Sequence, residues 1–530
     1  MRMPVLAAAA VLALSGCTMS GPVGTSDGPA GSSSATAPTP GEDAPERIAP
    51  VSDFRPEAAE VVAGMDDQAL AGAVVIGSYE GTDVAAGVRM VEDSALAGAI
   101  VMAYNLPENP TPEDVRTVTG ALADASADRS WPVFLGVDQE GGPVSRLGTA
   151  ALDMPPLMVH GAADDPEITT GAIQAQGVDL RDLGFTADFA PSADVTIGAR
   201  DAAINVRSAG DNPDLVSRTV EAAITGYTDA GILSSAKHFP GHGSLTDDSH
   251  DTLPVSDRSV DEMADRDIAP FRAAVDAGVP MVMMGHIGLP GAEDTPATLN
   301  PHAYSELREV LGHDGVVVTD AMNMGAVPSD GAGGESVAAI AAGADLVLLP
   351  PDAEASADAL RSALDSGELD RERLVEAAER VVAMQLWQEH ASELAVTVDD
   401  PAERVDALAD AALTVVAGEC RIAEPVDAVA VVGGDRAAIS DFTAIAEENG
   451  LAIDAGADTT VALSESAAAD VVYGTQGPWR LTGSAAATVL AGYDDYAAGL
   501  GALARYLTGE IAAGGSLPVE LDGVDAPDCG

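Results

Sequence analysis

The chain of 530 residues is too long for one ordinary hydrophobic core, so at least two domains are expected. Its 47% apolar content marks a globular protein, and with aromatics at only 3% the core must rest on Ala, Val, Leu and Ile. With 85 acidic against 25 basic residues, the formal charge of −60 repels polyanions and excludes nucleic acid and anionic lipid headgroups as partners.

Residues 1–17 read as a targeting segment. Arg2 precedes an apolar stretch over 5–14, too short to span a bilayer as a helix. It runs into Leu14-Ser15-Gly16-Cys17, which resembles a bacterial lipobox. That resemblance implies a diacylglycerol on Cys17, two acyl chains anchoring stably where one is marginal. Residues 18–50, rich in Gly, Ser, Thr, Ala and Pro, read as a flexible tether. A lipid-anchored, extracytoplasmic location at the cell membrane is therefore expected, with a plain secretory peptide as the alternative. If Cys17 is lipidated, Cys420 and Cys529 remain as an even pair in an oxidising compartment. A disulfide between them is expected, two free buried thiols being the other reading.

From about 70 to 350, short apolar runs alternate with longer stretches of helical composition. The runs are 73–77, 99–104, 133–137, 185–190, 232–237, 281–286, 316–320 and 346–349. Near-continuous apolar runs suit strands covered on both faces, as in a parallel sheet. Segments such as 214–230 and 261–277 are long enough for crossover helices. Eight such units predict an α/β fold, a (β/α)8 TIM barrel over 51–395. Asp138, His238, His286 and Asp320 stand at the ends of four runs. Barrel enzymes carry their active sites at the strand C-termini, so these four are expected to converge on one pocket.

Beyond a long helix at 374–389 the pattern changes. A helix over 403–416, strands at 428–433, 460–463 and 470–473, a helix over 495–509 and a closing strand at 516–521 predict a smaller C-terminal α/β layer domain over 396–530. Val431-Val432-Gly433-Gly434-Asp435 lacks the G-x-G-x-x-G pattern, so no nucleotide is implied.

The densest chemistry lies at 237–250, Lys-His-Phe-Pro-Gly-His-Gly-Ser-Leu-Thr-Asp-Asp-Ser-His, which holds three of the chain's eight histidines. Pro240, Gly241 and Gly243 stop the strand and force an irregular loop. A loop at a strand's end is how a rigid scaffold presents titratable groups.

This stretch resembles the β-N-acetylglucosaminidase branch of glycoside hydrolase family 3, in which Lys-His-Phe-Pro-Gly-His-Gly is followed after four residues by Asp-Ser-His. Further matches are Gly136-Val137-Asp138-Gln139-Glu140-Gly141-Gly142 with Arg146, Val317-Val318-Thr319-Asp320 with Met324, and, more loosely, Val206-Arg207-Ser208. The resemblance implies that Asp320 is the catalytic nucleophile and that His250 with Asp248 forms an acid/base dyad. It further implies that Asp138, Arg207, Lys237 and His238 hold an N-acetylglucosamine unit, with Arg146 as a support that can also bind. The implied activity is exo-acting, retaining removal of β-linked N-acetylglucosamine from peptidoglycan fragments or chitooligosaccharides. An Asp at a strand end is placed to attack an anomeric carbon, and an imidazole titrates where it can give and then take a proton. No cofactor and no metal are implied, the partner is a carbohydrate, and a monomer is expected.

The chain departs from the family pattern at Pro143, where Arg is usual, at Ala321-Met322 after the expected nucleophile, and at Ala209-Gly210, where Phe-Gly is usual. Other readings are a barrel metallohydrolase using His238, His242, Asp248 and His250, a non-catalytic glycan-binding lipoprotein, and a β-glucosidase or glycoside phosphorylase of the same family.

Overall fold

The computed structural model describes residues 48–530 apart from 128, 330, 466, 467 and 530. The expected leader, Cys17 and nearly all of the tether lie outside the described residues. Each of the eight apolar runs overlaps a strand. These are β1 (Val75–Gly77), β2 (Gly98–Ile100), β3 (Phe134–Val137), β4 (Ala187–Asp188), β5 (Ser235–Phe239) and β6 (Met281–Met284). After a hairpin of β7 (Gly288–Leu289) and β8 (Ala292–Pro296) come β9 (Val316–Thr319) and β10 (Val347–Leu348).

The barrel strands are parallel and form two arcs, β10-β1-β2-β3-β4 and β5-β6-β9. Single bridges Ala187↔Leu233 and Val318↔Leu346 join the arcs, so the ring closes into a (β/α)8 barrel. Alternation along each strand divides the core. Ile76, Met281, Met283, Val316 and Val318 fill the lumen, while Val75, Val282, Met284 and Val317 face the helices.

The long helix Arg371–Leu394 closes the end opposite the strand C-termini. Its Val381, Met384 and Trp387 pack into the lumen cluster, and Gln385 and Gln388 donate to the carbonyls of Ala97 and Gly231, just before β2 and β5. Buried Asp345, ahead of β10, ties that helix to the barrel through Arg373 at 2.7 Å and Arg380 at 3.3 Å.

The C-terminal α/β domain is a six-stranded sheet ordered β11-β16-β15-β14-β12-β13. Its strands are β11 (Thr414–Ala417), β12 (Ala428–Gly433), β13 (Ala452–Ile453), β14 (Thr460–Ala462), β15 (Val471–Gly474) and β16 (Thr488–Ala491). Three expectations need correction. The helix expected over 403–416 ends at Ala412, and Thr414-Val415-Val416 begins β11. The stretch 261–277 is two helices, Val260–Met263 and Ala269–Asp276. Residues 516–521 are not a strand but lie along the barrel, where Ser516 donates to Ala162 O and Asp211 donates to Pro518 O. Cys420 and Cys529 are joined by a disulfide with their Cα atoms 5.4 Å apart. Among the described residues no helix is long and apolar enough to cross a membrane.

Candidate active site

At the strand C-termini opens a cavity of about 230 Å³. That lies below the roughly 300–1,000 Å³ of drug-sized sites, so it suits one small polar ring better than a long ligand. Asp138, Glu140, Arg146, Arg207, Lys237, His238, His250 and Asp320 all line it. Its lining residues all precede residue 350, so the C-terminal domain adds none of them. That domain instead braces the loops behind the site. Asp494 Oδ2 lies 2.8 Å from where a Cβ on Gly142 would stand, and Glu520 N–H donates to Asp211 Oδ2 at 2.8 Å.

Glu140 organises one wall. Arg207 donates to it in parallel, Nε to Oε2 at 2.9 Å and Nη2 to Oε1 at 2.8 Å. Lys237 Nζ reaches the same Oε1 at 2.7 Å and Asp138 Oδ1 at 3.0 Å. Burial alone would push the Glu140 carboxyl up, but the two cations outweigh it and hold it far below the usual carboxylate range. Burial likewise works against the charge on Lys237, and Asp138 with Glu140 more than restores it. The wall is thus a bidentate, fully charged network that presents N–H and carboxylate groups to a ligand.

A second clamp lies on the loop after β4. Fully buried Asp194 accepts His238 Nδ1 at 2.7 Å and the backbone N–H groups of His238 and His242 at 3.2 and 2.6 Å. It holds His238 with its Nε2 edge toward Arg207, at 3.4 Å from Nη2. His242 Nε2 meets Ser249 Oγ at 3.0 Å, and burial pushes this imidazole down to about 4, so it is neutral near pH 7.

Asp320 sits on the floor one residue beyond β9, 9% exposed, with Oδ1 accepting the Ala321 N–H at 2.8 Å. Burial raises its carboxyl, but His238, His286, the Ala321 N–H and Lys237 together leave it below the ordinary value. It is ionised at neutral pH. On the rim, His250 Nδ1 meets Asp248 Oδ1 at 2.7 Å, and the same oxygen accepts the His250 backbone N–H at 2.9 Å. The His250 side chain is 64% exposed. Its loop is docked against the loop after β9, since Gly325 donates to His250 O at 3.0 Å.

His286 does not join the pocket as expected. It is fully buried beneath it, with Nδ1 on Thr298 Oγ1 at 2.8 Å and Nε2 on Ala321 O at 2.9 Å, so it supports the turn after Asp320. Arg146 lines the cavity with Nε buried and unpartnered, while its backbone N–H is held by Gln139 Oε1 at 2.9 Å. Sequence reasoning passed over Glu140 and Asp194. Glu140 stood inside a quoted motif, and Asp194 shares the signal used for the others, a carboxylate shortly after an apolar run.

A closed parallel barrel with an ionised carboxylate on its floor and a charged hydrogen-bonding wall beside it is an arrangement suited to a small polar substrate. Residues 74–384 match the glycosyl hydrolase family 3 N terminal domain, and the chain belongs to that family as a glycoside hydrolase. It is 32% identical over 302 residues to the Beta-hexosaminidase A of Pseudoalteromonas piscicida, a match covering 51% of this chain and 50% of that protein. The chain thus spans half the length of that relative. Over 240 residues it is 35% identical to the Beta-hexosaminidase of Stenotrophomonas maltophilia (strain K279a), covering 44% of this chain and 71% of that one. The solved glycoside hydrolase family 3 beta-N-acetylglucosaminidase from Paenibacillus sp. str. FPU-7 superposes with a TM-score of 0.76 at 28% identity, covering 86% of this chain and 99% of that chain. Among the described residues, no three His, Cys, Asp or Glu side chains are disposed to hold a metal ion.

Proposed function

We propose that the protein is an exo-acting, retaining β-N-acetylglucosaminidase that removes single non-reducing N-acetylglucosamine units from peptidoglycan fragments or chitooligosaccharides. The observation that carries this reading is the His250–Asp248 pair at 2.7 Å on the rim of a pocket whose floor holds the ionised Asp320. Similarity to two beta-hexosaminidases and to a solved beta-N-acetylglucosaminidase supports the choice of sugar.

In this mechanism Asp138, Arg207, Lys237 and His238 hold the hydroxyls of the sugar, with Arg146 beside them. Asp320 Oδ1 is occupied by the Ala321 N–H, so Oδ2 attacks the anomeric carbon. The bond to the leaving oxygen breaks as His250 Nε2 gives it a proton. Water then enters, His250 takes a proton from it, and hydroxide displaces Asp320. Asp248 orients the ring by its grip on Nδ1 and supplies a counter-charge while the ring is protonated. We further propose that a lipid on Cys17 holds the enzyme at the outer face of the cell membrane, which suits cell-wall fragments as substrates.

Release of nitrophenol from the β-N-acetylglucosaminide and the β-glucoside, measured for the unaltered enzyme and for Asp320→Asn, tests the reading. Turnover of the N-acetyl sugar alone, lost in the variant with an unchanged thermal unfolding curve, is expected. Equal turnover of the glucoside would overturn the sugar assignment, and residual activity within tenfold would remove Asp320 from its role.

A further inference from the structure

Three of the cavity's lining residues are exposed, and they mark its rim: His250, Asn323 and Tyr104. His250 and Asn323 lie on one side, because the loop after Asp320 hydrogen-bonds the His250 loop through Gly325 and Ala326. Tyr104 comes from the loop after β2 and is 45% exposed. Among the large apolar side chains exposed on the described residues it is the one aromatic, in a chain with only 3% aromatics. A single exposed ring is unremarkable on an ordinary surface, but this one lines the mouth of the polar pocket, where a bound glycan must pass it.

The ring is also built into place. Tyr104 Oη donates to Ser78 Oγ at 3.1 Å, and Ser78 Oγ donates to Asn105 Oδ1 at 3.3 Å. Asn105, itself buried, pins the turn by donating Nδ2 to Tyr79 O at 2.6 Å and Gly81 O at 3.1 Å while accepting the Met102 N–H at 2.9 Å. The phenol oxygen is thereby engaged with the loop after β1, and the ring carbons are left as the surface on offer.

From this geometry we infer that Tyr104 is a stacking platform for the second sugar, the one on the leaving side of the bond that is cleaved. This rests on the exo-glycosidase reading above. A pocket that holds the terminal unit at its floor sends the rest of the glycan out through the mouth, past Tyr104. The C–H hydrogens of a pyranose face carry partial positive charge and settle on the negative face of an aromatic ring. Tyr104 then sets preference for a ring-shaped leaving group without touching the reacting atoms.

The test compares kcat/KM on N,N′-diacetylchitobiose with kcat/KM on N-acetyl-β-glucosaminyl fluoride, whose leaving group is a single atom. In Tyr104→Ala the ratio of disaccharide to fluoride is expected to fall about fivefold, and in Tyr104→Phe to stay within about twofold, as one aromatic contact implies. An unchanged ratio in Tyr104→Ala, or an equal fall in Tyr104→Phe, would overturn the platform. The ratio is read on Tyr104→Ala protein that keeps the thermal unfolding curve of the unaltered enzyme; if that variant misfolds, Tyr104→Leu, apolar but without a π face, takes its place with the same expected fall, and an unchanged ratio in it would overturn the platform. No turnover of either compound by the unaltered enzyme would overturn the proposed function itself, and the platform with it.

Discussion

Individual side chains in this site act mainly by holding one another. Glu140 accepts three bonds from Arg207 and Lys237, so its value lies chiefly in presenting the two cations. Replacing it with Gln leaves two buried cations short of countercharge, a change that typically costs about 3–5 kcal/mol. Glu140→Gln is expected to lower stability on that scale in guanidinium unfolding, and a loss under about 1 kcal/mol would show the wall to be solvated in solution. His250 has the opposite character, exposed and tethered only through Asp248 and its own loop. His250→Ala should cost about 10²–10⁴-fold in kcat/KM for glycosides with poor leaving groups and far less for a dinitrophenyl glycoside. Equal losses on both would contradict proton donation by the ring.

At the scale of elements, the loop after β3 is shaped from below. Gln139 uses every polar atom it has: its N–H goes to Asp188 Oδ1 at 2.9 Å and its carbonyl to Gln176 Nε2. Its side chain accepts from Arg146 and Leu147 and donates to Ser145. Asp188, the last residue of β4, takes the Tyr227 hydroxyl at 2.9 Å on its other oxygen. Burial pushes this carboxyl up to about 7, against the pull of the Gln139 N–H, Lys237 and Tyr227. Between about pH 4 and 7 the unfolded chain has released this proton while the folded chain keeps it, so Asp188 makes stability fall as pH rises through that window. Asp188→Asn removes that term. Its unfolding free energy relative to the unaltered protein should therefore rise between about pH 4 and 7 and level off above that, and a pH-independent difference would refute the assignment. The C-terminal misreadings have the same kind of cause. Thr414-Val415-Val416 carries a β-branched signal that the preceding helix pattern masked, and it becomes β11 because it pairs with β16. Residues 516–521 alternate like a strand, but their N–H and C=O groups find partners on the barrel at Ala162 and Asp211 instead of in a sheet.

For the molecule as a whole, the disulfide spans 109 residues and ties the last residues of the chain to the segment after β11. A cross-link closing so long a loop removes much of the unfolded chain's freedom, and about 2–4 kcal/mol is the usual gain. Reduction, or a Cys420→Ser and Cys529→Ser pair, is expected to lower unfolding stability by that amount while leaving the rate on small aryl glycosides unchanged, since the cavity draws its lining from the barrel. An unchanged unfolding curve would show that the bond contributes nothing.

By itself the amino-acid order determined the count and parallel pairing of the barrel strands, because covered strands must be apolar on both faces and each run is short and bounded. It also determined the positions of Asp320, Asp248 and His250, since a strand end and a short loop are local features that a motif records. Only the tertiary structure decided which charges meet. Glu140 and Arg207 are 67 residues apart, and Asp138 and Lys237 are 99 apart, yet barrel closure brings each pair to 3.0 Å or less. The same closure buried His286, set Asp194 behind His238 and left Tyr104 on the rim. Periodicity along a chain carries the direction of a side chain within its own element, and pairing between elements depends on how the ring closes.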